Sequence, residues 1–545
     1  MSNFPASNSG DPGISISMLD VETGDRRLSE ETLLNDKDFS EQAPSSFDFL
    51  LGPTSSTQRK FGIFPRLRHI IAKVTLFLLP SFISCYFTPA GASKPEKLAP
   101  TAWLDGLRGI ACACVVVHHY FYEYHSRLEH PYDGVNHVDV TQLPFIKLIH
   151  YGPPMVKIFF IISGFVLTVK AVKITRVPGS SFDGQGLISN LSTSVWKRYL
   201  RLYIPCAASF ILCAFLISAG WMEAIPTSKR RPGWITGSIE RRPPTLDNIF
   251  QQLAEAAKDF YIFAVERSLF NILDRPYNTD GHLWTIPVEF KSSIALFVFV
   301  TGVCTLKRWL RVYIIIPVFT ISLLYYGGWG LALFFFGYFL AELNSDIPTD
   351  PKERSSRRSL FKTSLHSTMV IVSLYLLSYP RKIPDPEYTT GYRFLAPLTP
   401  PRYPLPHDKR ADHTHEFWQT VGAMMLVWAL LYLPRVQNVV LCNKVSQYFG
   451  KISFAIYIMH GHTQKSIGHW AVVNGLKFVG LWHYNAQKKA WILDKEHNQL
   501  YGTVVMVAFL FITFPITVCW ADVFWRVADA PSVRFLRWLE GKIRR

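Results

Sequence analysis

Residues Met155–Val169 read MVKIFFIISGFVLTV, an almost continuous apolar run. Comparable apolar blocks recur along the chain, and a helix of about 15–22 residues can cross a bilayer. The clearest of them are Tyr203–Trp221, Ile294–Leu306, Val312–Tyr326, Trp329–Leu343, Met369–Tyr379, Val421–Leu433 and Gly502–Trp520. Shorter or polar-interrupted blocks are Ile110–Tyr124, Phe260–Leu273 and Ile452–Met459. Since backbone groups within a span must be bonded inside it, the sequence predicts an all-α bundle of about ten or eleven transmembrane helices.

The composition supports an integral membrane protein rather than a nucleic-acid-binding one. Of the 545 residues, 49% are hydrophobic, and the formal net charge is +17. The basic residues lie between the apolar blocks rather than in one basic domain, as is typical of loop charges that orient membrane helices. We therefore expect the lipid bilayer as a partner and no nucleic acid. The eight cysteines form no CxxC pair, so neither disulfides nor a zinc site is expected from them.

Composition divides the chain into four regions. Residues 1–58 hold ten acidic and three basic residues without an apolar run, which predicts a disordered acidic cytosolic tail. Residues 59–98 form a basic and interfacial segment, residues 99–530 the membrane domain, and residues 531–545 a basic C-terminal tail. No cleavable signal peptide is recognisable, so an internal span is expected to direct insertion.

Whether the segment Val74–Phe87 crosses the membrane decides the topology. It has only fourteen residues and contains Pro80. If it crossed, the basic loop from Lys170 to Arg201 would lie outside, against the positive-inside rule. If it lies in the interface, the helix Trp103–Tyr124 runs outward and that loop is cytosolic. We prefer the interfacial arrangement, in which the N-terminus is cytosolic. We expect the protein to lie in the endoplasmic reticulum or another endomembrane.

A Pro-rich loop, residues 380–415, includes His407, His413 and His415. Three histidines close to aspartates could ligate a metal ion, but no spacing in this loop fixes a ligand geometry. We predict that the protein has no metal site.

The stretch LDGLRGIACACVVVHHY, Leu104–Tyr120, places charged residues inside an apolar helix, where such residues usually face the bundle interior and mark function. At about 100° per residue, Arg108 and His119 share one face, and His118 is turned about 80° away. Asp105 precedes Arg108 by three residues, close enough for an ion pair. The rise of about 16 Å puts the arginine near the cytosolic surface and His119 near mid-membrane. An interface arginine with a structural histidine is the alternative.

Five motifs in the same order resemble the acyltransferase 3 family of multi-pass membrane O-acyltransferases. They are LDGLRG with a histidine eleven residues after its arginine, FFIISGF (Phe159–Phe165), KRYLRLYIP (Lys197–Pro205), GHLWTIPVEF (Gly281–Phe290) and SFAIYIMH (Ser453–His460). Each motif is weak alone, but their order across Ala99–Arg526 is specific. The resemblance implies transfer of an acyl group from acyl-CoA, in particular acetyl-CoA, to a hydroxyl of a small acceptor. It implies no permanently bound cofactor.

The resemblance also implies that His119 is the catalytic residue and Arg108 its partner. A neutral histidine can accept the proton of the acceptor hydroxyl while the oxygen attacks the thioester, an effect of about 10²–10⁴-fold. Arg108 or a polar group on a facing helix could stabilise the developing oxyanion. Direct attack by the histidine, which would form an acyl-histidine, is an open alternative.

Arg198 and Arg201 lie three residues apart at the predicted cytosolic start of a span. Guanidinium groups suit the phosphates of coenzyme A, and the family's Arg-x-x-Arg motif supports a role in donor binding. The alternative is that both arginines anchor the span by reaching to the lipid headgroups.

Glu289 follows Pro287, which is expected in the first turn of a new helix. The N-terminus of that helix would stabilise the carboxylate of Glu289. An ionised group there could orient His119 or position the acceptor, and a purely structural carboxylate is the alternative.

Ser453, Tyr457 and His460 follow one another at i, i+4 and i+7, a polar stripe on an apolar helix. Such stripes often only join helices, so we do not expect His460 to act directly in catalysis.

The acidic tail and long loops resemble fungal members of the family. Acceptors of such members are often small secondary metabolites, such as terpenoids or polyketides. The Gly-Asp-Ser motif of a fused hydrolase-like domain is missing from the sequence. One alternative function is a multi-pass transporter of a small anionic or lipophilic metabolite, which would show internal repeats and paired broken helices. Another is the other large membrane acyltransferase superfamily, whose histidine would lie in a late span.

Overall fold

Helices account for nearly all regular structure in the described part of the chain, which confirms the predicted all-α fold. The structure is a computed structural model, and it describes residues 79–84, 98–135, 137–176, 183–224, 234–235, 237, 242–272, 277–348, 359–381, 391–400, 403, 413–485, 487, 490–493 and 498–543. Its α-helices are α1 (Ser81–Ser84), α2 (Ala102–Tyr124), α3 (Pro153–Ile174), α4 (Gly184–Ser218), α5 (Ile249–Tyr261), α6 (Thr285–Val303), α7 (Arg308–Leu310), α8 (Ile316–Tyr325), α9 (Trp329–Asn344), α10 (Leu360–Leu377), α11 (Thr414–Leu431), α12 (Pro434–Val436), α13 (Lys444–Thr463), α14 (His469–Phe478), α15 (Asn498–Ala508), α16 (Phe514–Phe524) and α17 (Ala530–Ile543).

Short 3₁₀ and π turns extend or join these helices. The 3₁₀ turns are Ser126–Glu129, Val140–Gln142, Ile146–His150, Gly281–Trp284 and Arg393–Leu398, and the π turns are Ile262–Glu266, Arg311–Ile315, Gln437–Leu441, Gln464–Gly468, Phe509–Thr513 and Trp525–Asp529. Two strands, β1 (Trp482–Asn485) and β2 (Ala490–Leu493), form an antiparallel hairpin in which Trp482 pairs with Leu493.

Helices α2 and α13 pack side by side with their backbones almost in contact. A Cβ atom added to Gly109 would lie 2.5 Å from the nitrogen of Gly450, and one added to Gly450 would lie 2.3 Å from the carbonyl oxygen of Asp105. Small residues of this kind let helices approach closely within a membrane. Farther along, the thiol of Cys112 contacts the carbonyl oxygen of Ser453. Residue numbers therefore rise together on the two helices, which run parallel.

A second glycine contact joins α3 to α9. A Cβ atom added to Gly164 would lie 2.3 Å from the carbonyl oxygen of Phe334, and one added to Gly337 would lie 2.4 Å from that of Ile161. Residue numbers run in opposite directions here, so α3 and α9 are antiparallel. An apolar core with buried residues from α2, α3, α6, α9 and α11 surrounds this contact.

Fewer helices have the length and apolar composition of a membrane span than the sequence predicts. Six helical segments of the described chain are long and apolar enough to cross a membrane: Pro153–Ile174, Gly184–Ser218, Gly281–Val303, Arg308–Tyr325, Leu360–Leu377 and Gln499–Ile543. The helices α11 and α12 make a seventh candidate, bent by 88°. Helix α9 is apolar but shorter, and α2 and α13 carry charged and histidine side chains. These three helices account for the difference from about ten spans.

Helix α4 is longer than a bilayer is thick. Its 35 residues extend over about 52 Å, whereas the hydrocarbon core measures about 30 Å. Pro205 lies within the helix, at the start of its apolar part. The polar residues before Pro205 therefore extend beyond the hydrocarbon, on the side where α3 ends.

The start of the described chain is tied to its C-terminal helices. Ser81 donates from its backbone nitrogen and its hydroxyl to the carboxylate of Asp522, at 2.8 and 2.7 Å. Arg526 pairs with the same carboxylate at 2.9 Å and donates to the carbonyl oxygen of Leu79 at 2.9 Å. Of the predicted interfacial segment only residues 79–84 are described. The predicted acidic tail lies outside the described residues.

The close approach of α2 and α13 predicts that Gly450→Ala destabilises the protein. The added methyl group would meet the backbone of Asp105, which cannot move aside as a side chain can, and overpacking of this kind costs about 1–3 kcal/mol. The measurement is the Tm of the detergent-solubilised protein. Gly302→Ala is the matched control, because a Cβ there meets nothing within 4 Å. Equal Tm values for both variants would contradict the close contact.

Candidate active site

Three histidines from separate elements meet at one place, which we call the histidine cluster. His119 lies on α2, His460 on α13, and His282 in the 3₁₀ turn before α6. One imidazole nitrogen of each lies within 4.8 Å of the other two. The ring centroids are 4.2 Å apart for His119–His282, 4.5 Å for His282–His460 and 5.1 Å for His119–His460. His282 and His460 are buried and His119 is half-buried, so His119 is the most accessible member.

The glycine contact between α2 and α13 sets the height of two of these histidines. His119 comes ten residues after Gly109, and His460 comes ten residues after Gly450. Because the two helices are parallel, both histidines lie about 15 Å along their helices from the contact. Beyond them, the amide of Gln464 donates to the carbonyl oxygen of His119 at 3.1 Å, which joins the helices again.

A tyrosine holds the turn of His282 against α13. The hydroxyl of Tyr457 donates to the carbonyl oxygen of His282 at 2.6 Å and lies 2.6 Å from Oγ1 of Thr285. Nδ1 of His460 lies 2.7 Å from the carbonyl oxygen of Tyr457, so it carries the hydrogen and leaves Nε2 for the cluster. The predicted polar stripe on α13 thus joins helices through Tyr457. It also brings His460 into the histidine cluster, which the sequence analysis did not foresee.

A buried network of charged and polar groups lies behind the cluster. The carboxylate of Asp280 accepts a hydrogen bond from Nδ1 of His282 at 3.0 Å. Nζ of Lys465 lies 3.6 Å from this carboxylate, and Nε2 of His462 lies 3.8 Å from it. The hydroxyl of Ser209, on α4, lies 2.6 Å from the same nitrogen of His462. The network therefore connects α4, α13 and the turn before α6.

Three imidazole nitrogens could in principle supply three ligands of a zinc ion. His282 and His460 each have an acceptor at Nδ1, as metal-bound histidines usually do. Rings that share a tetrahedral ion diverge from it, whereas His119 and His282 pack edge to face with centroids 4.2 Å apart. The packing favours direct contact among the imidazoles, and the absence of a metal site stays a prediction.

The histidines of the Pro-rich loop are only partly described. The rings of His413 and His415 stack with centroids 6.2 Å apart, and Nδ1 of His413 lies 3.5 Å from the carboxylate of Glu416. His407 lies outside the described residues.

Arg108 lies at the level of the glycine contact, not at the level of the histidine cluster. It pairs with Asp105 at 3.0 Å, as the spacing predicts, and donates to the carbonyl oxygen of Gly450 at 2.9 Å. The rise of about 16 Å along α2 is longer than an arginine side chain, so Arg108 does not contact His119. Both residues face α13, so they share one face of α2 at different levels, and the role of Arg108 as the partner of His119 stays a prediction.

His118 turns to a different neighbourhood from that of His119. Its Nδ1 lies 3.2 Å from the carbonyl oxygen of His150, and its ring packs on Tyr122 with centroids 3.9 Å apart. The ring of His118 also lies 5.3 Å from that of His119, but its hydrogen bond is to the turn before α3 and not to α13.

Glu289 is connected to an arginine in this structure. Pro287 lies in the first turn of α6, as predicted, and Glu289 follows it. The carboxylate of Glu289 accepts a hydrogen bond from the hydroxyl of Ser163 at 2.7 Å and forms an ion pair with Arg198. Arg198 also donates to the hydroxyl of Ser293 at 3.2 Å. The described contacts of Glu289 therefore orient Arg198 and not the histidine cluster.

The other basic residues of the KRYLRLYIP motif, like Arg198, have carboxylate partners. Arg201 pairs with Asp529, and its guanidinium lies 5.7 Å from the centroid of the Phe454 ring on α13. Lys197 pairs with Glu540 on α17. A phosphate bound here would have to share or displace these carboxylates. Binding of the donor by Arg198 and Arg201 stays a prediction.

The site residues predicted from the sequence did not include Asp280, His462 or Lys465. A signal was present, because Asp280 directly precedes the GHLWTIPVEF motif, and His462 and Lys465 come two and five residues after the SFAIYIMH motif. Charged residues in or beside apolar segments are expected to have a function or a partner. Only the tertiary structure shows that these two motifs face each other.

Comparisons with known proteins agree with this architecture. The family model described as "Acyltransferase domain", that of the acyltransferase 3 family, matches residues 101–526. The chain is 28% identical over 469 residues to "O-acetyltransferase PaAT-1" of Phomopsis amygdali, covering 83% of this chain and 86% of that protein. It is 24% identical over 477 residues to "Acyltransferase clz18" of Cochliobolus lunatus, covering 78% and 96%, respectively. It is 23% identical over 412 residues to "Acyltransferase R4" of a Phoma species, covering 67% and 83%. No solved structure matches the chain significantly.

The family match spans most of the chain and includes all three residues of the histidine cluster. It decides between the functions that the sequence analysis left open, because the matching proteins are acyltransferases rather than transporters. The chain belongs to the acyltransferase 3 family and is an acyltransferase embedded in a membrane.

Proposed function

We propose that this enzyme transfers an acetyl group from acetyl-CoA to a hydroxyl of a small secondary metabolite, such as a terpenoid or a polyketide. The observation that carries the proposal is the histidine cluster, in which a half-buried His119 contacts two buried imidazoles inside a helical bundle. The name of the Phomopsis amygdali relative supports an acetyl group and a hydroxyl acceptor. The fungal sources of the relatives support a secondary metabolite as the acceptor. We further propose that the enzyme lies in an endomembrane with its N-terminus in the cytosol.

In the proposed reaction, a neutral nitrogen of His119 takes the hydroxyl proton of the acceptor while the oxygen attacks the thioester carbonyl. The tetrahedral intermediate collapses as the C–S bond breaks, and the departing CoA thiolate takes the proton from the imidazolium. The products are the ester and CoA, and His119 is neutral again. A positioned base of this kind contributes about 10²–10⁴-fold to the rate.

The arginines fit the phosphate end of the donor. Arg108 contacts Gly450 and Arg201 lies over Phe454, so both approach α13 between six and ten residues before His460. Along α13, these contacts therefore lie about 9–15 Å from the level of the histidine cluster. The pantetheine arm of CoA separates its thioester from its phosphates. Phosphates held at the arginine level would thus leave the thioester to extend toward the cluster, and we assign Arg108 to this end rather than to the oxyanion.

The proposal is tested with membranes from a host that expresses the full chain. Labelled acetyl-CoA is incubated with a panel of hydroxylated terpenoids and polyketides, and the esters are identified by mass spectrometry. We expect at least one acetate ester that membranes without the protein do not form. Esters formed from longer acyl-CoA thioesters but not from acetyl-CoA would overturn the proposal that the group transferred is acetyl. If no thioester gives a product, the proposal that acyl-CoA is the donor is overturned.

We predict that His119→Ala lowers kcat by at least about 10²-fold, because it removes the proposed base. His118→Ala is the matched control, since its side chain packs against Tyr122 and the His150 carbonyl and is not one of the three residues whose imidazole nitrogens form the histidine cluster. It should keep most activity. The measurement is acetyl transfer at saturating substrate, normalised to the amount of folded protein. Equal losses in the two variants would mean that His119 has a structural role.

We predict that replacing Arg198 and Arg201 together with Ala raises the KM for acetyl-CoA about tenfold, more than the KM for the acceptor. Asp529→Asn should have the opposite effect on the donor KM, because it frees the guanidinium of Arg201 from its carboxylate partner. Steady-state kinetics with each substrate varied in turn measures both effects. An unchanged donor KM in the double Ala variant would leave these arginines as anchors of α4.

We predict that the purified enzyme keeps its activity after dialysis against a strong zinc chelator, since a neutral imidazole of His119 acts as the base. Metal content by mass spectrometry, measured before and after dialysis, is the second readout. Loss of activity that stoichiometric Zn²⁺ restores would show instead that the histidine cluster holds a metal ion.

A further inference from the structure

We propose that Asp280 is a positioning residue of this enzyme. Through its hydrogen bond to Nδ1, it holds His282 in the form that carries its lone pair on Nε2, the nitrogen available to the histidine cluster. This inference rests on the proposed function, because it gives Asp280 a part in the acyl transfer at His119.

The hydrogen bonds of Asp280 define the tautomer of His282. One carboxylate oxygen of Asp280 accepts from Nδ1 of His282 at 3.0 Å and from its backbone nitrogen at 3.3 Å. An ionised carboxylate can only accept, so Nδ1 of the imidazole carries the hydrogen. In the neutral imidazole, Nε2 then holds the lone pair. Both side chains are fully buried, so water does not compete for these hydrogen bonds.

This tautomer suits a neighbour that gains a proton during the reaction. The ring of His282 packs edge to face on His119, with centroids 4.2 Å apart. With its lone pair on Nε2, His282 can accept a hydrogen bond from a ring N–H of His119, which leaves the other nitrogen of His119 to act as the base. When His119 takes the acceptor proton, the lone pair and the carboxylate behind it stabilise the new positive charge in a site of low dielectric. The opposite tautomer would direct an N–H toward that charge.

A glycine on α13 leaves the space that this hydrogen bond occupies. A Cβ atom added to Gly461 would lie 2.4 Å from Nδ1 of His282 and 3.0 Å from Oδ1 of Asp280, the two atoms of the hydrogen bond. Any side chain at this position would force the imidazole away from the carboxylate. This contact connects the residue next to His460 with the Asp280–His282 pair.

The charge of Asp280 is balanced within the same network. Nζ of Lys465 lies 3.6 Å from its carboxylate, and both side chains are almost fully buried. A buried carboxylate with such a partner remains ionised, whereas removal of one partner leaves an uncompensated charge. The test therefore needs a variant that removes both charges together.

The experiment compares full-length Asp280→Asn, the double variant Asp280→Asn with Lys465→Met, and Gly461→Ala. We expect each to lower kcat for acetyl transfer by at least about 10²-fold, with the KM for acetyl-CoA changed by less than about threefold. If Asp280→Asn alone does not fold, the double variant still tests the proposal, because it leaves neither charge of the pair unpaired. Gly461→Ala keeps every polar group and disturbs only the geometry of the hydrogen bond.

Two matched controls separate positioning from structure. Asp259→Asn changes another buried carboxylate, which accepts from the backbone nitrogens of Asn278 and Thr279 at 3.0 Å, just before Asp280. It should lower the Tm while kcat per folded molecule stays within about threefold of the wild-type value. Gly302→Ala should change neither quantity, because nothing lies within 4 Å of a Cβ there.

The outcomes distinguish this inference from the proposed function. If the wild-type enzyme transfers acetyl groups and the folded double variant keeps more than half of its kcat, the positioning role is overturned and the function stands. A rise in KM with unchanged kcat would likewise overturn it, because it would place Asp280 in substrate binding. If the wild-type enzyme uses no acyl-CoA at all, the proposed function fails and the positioning role fails with it.

Discussion

No side chain separates α2 from α13 where Gly109 meets Gly450, and the geometry of the site depends on that contact. A membrane offers little hydrophobic force between helices, so close backbone packing is a main source of their affinity. The contact fixes the two helices parallel and in register. Because His119 and His460 each follow their glycine by ten residues, the same register brings both imidazoles to one height. The Arg108 bond to the carbonyl of Gly450 reinforces it.

Local features of the site could be predicted because they depend on helical geometry alone. The spacing of Asp105 and Arg108 predicts their ion pair, and the angle between successive residues separates His118 from His119. The apolar blocks predict a helical bundle, since few other folds can satisfy the backbone within lipid. The position of Pro287 in the first turn of α6 follows from its missing N–H in the same way.

The convergence of the motifs could not be predicted, because it depends on which helices pack together. Glu289 was predicted to orient His119, to position the acceptor or to be a structural carboxylate. In the structure it pairs with Arg198, and the ring neighbours of His119 include His282 and His460. Likewise, the spacing of Arg198 and Arg201 indicates one helix face but not the carboxylates opposite them. Those carboxylates lie far away in the sequence, and a single sequence contains no information on such pairs.

The parallel packing of α2 on α13 also has a consequence for biosynthesis. In the chain, 319 residues lie between the end of α2 at Tyr124 and the start of α13 at Lys444. At about 5–20 residues per second, a ribosome needs about 15–65 s to make them. During that time α2 has its charged residues and histidines in the bilayer region without the helix that contacts them in the folded enzyme. The helix that carries His119 must therefore be sheltered by the insertion machinery or by its early neighbour α3, and the site assembles only near the end of translation.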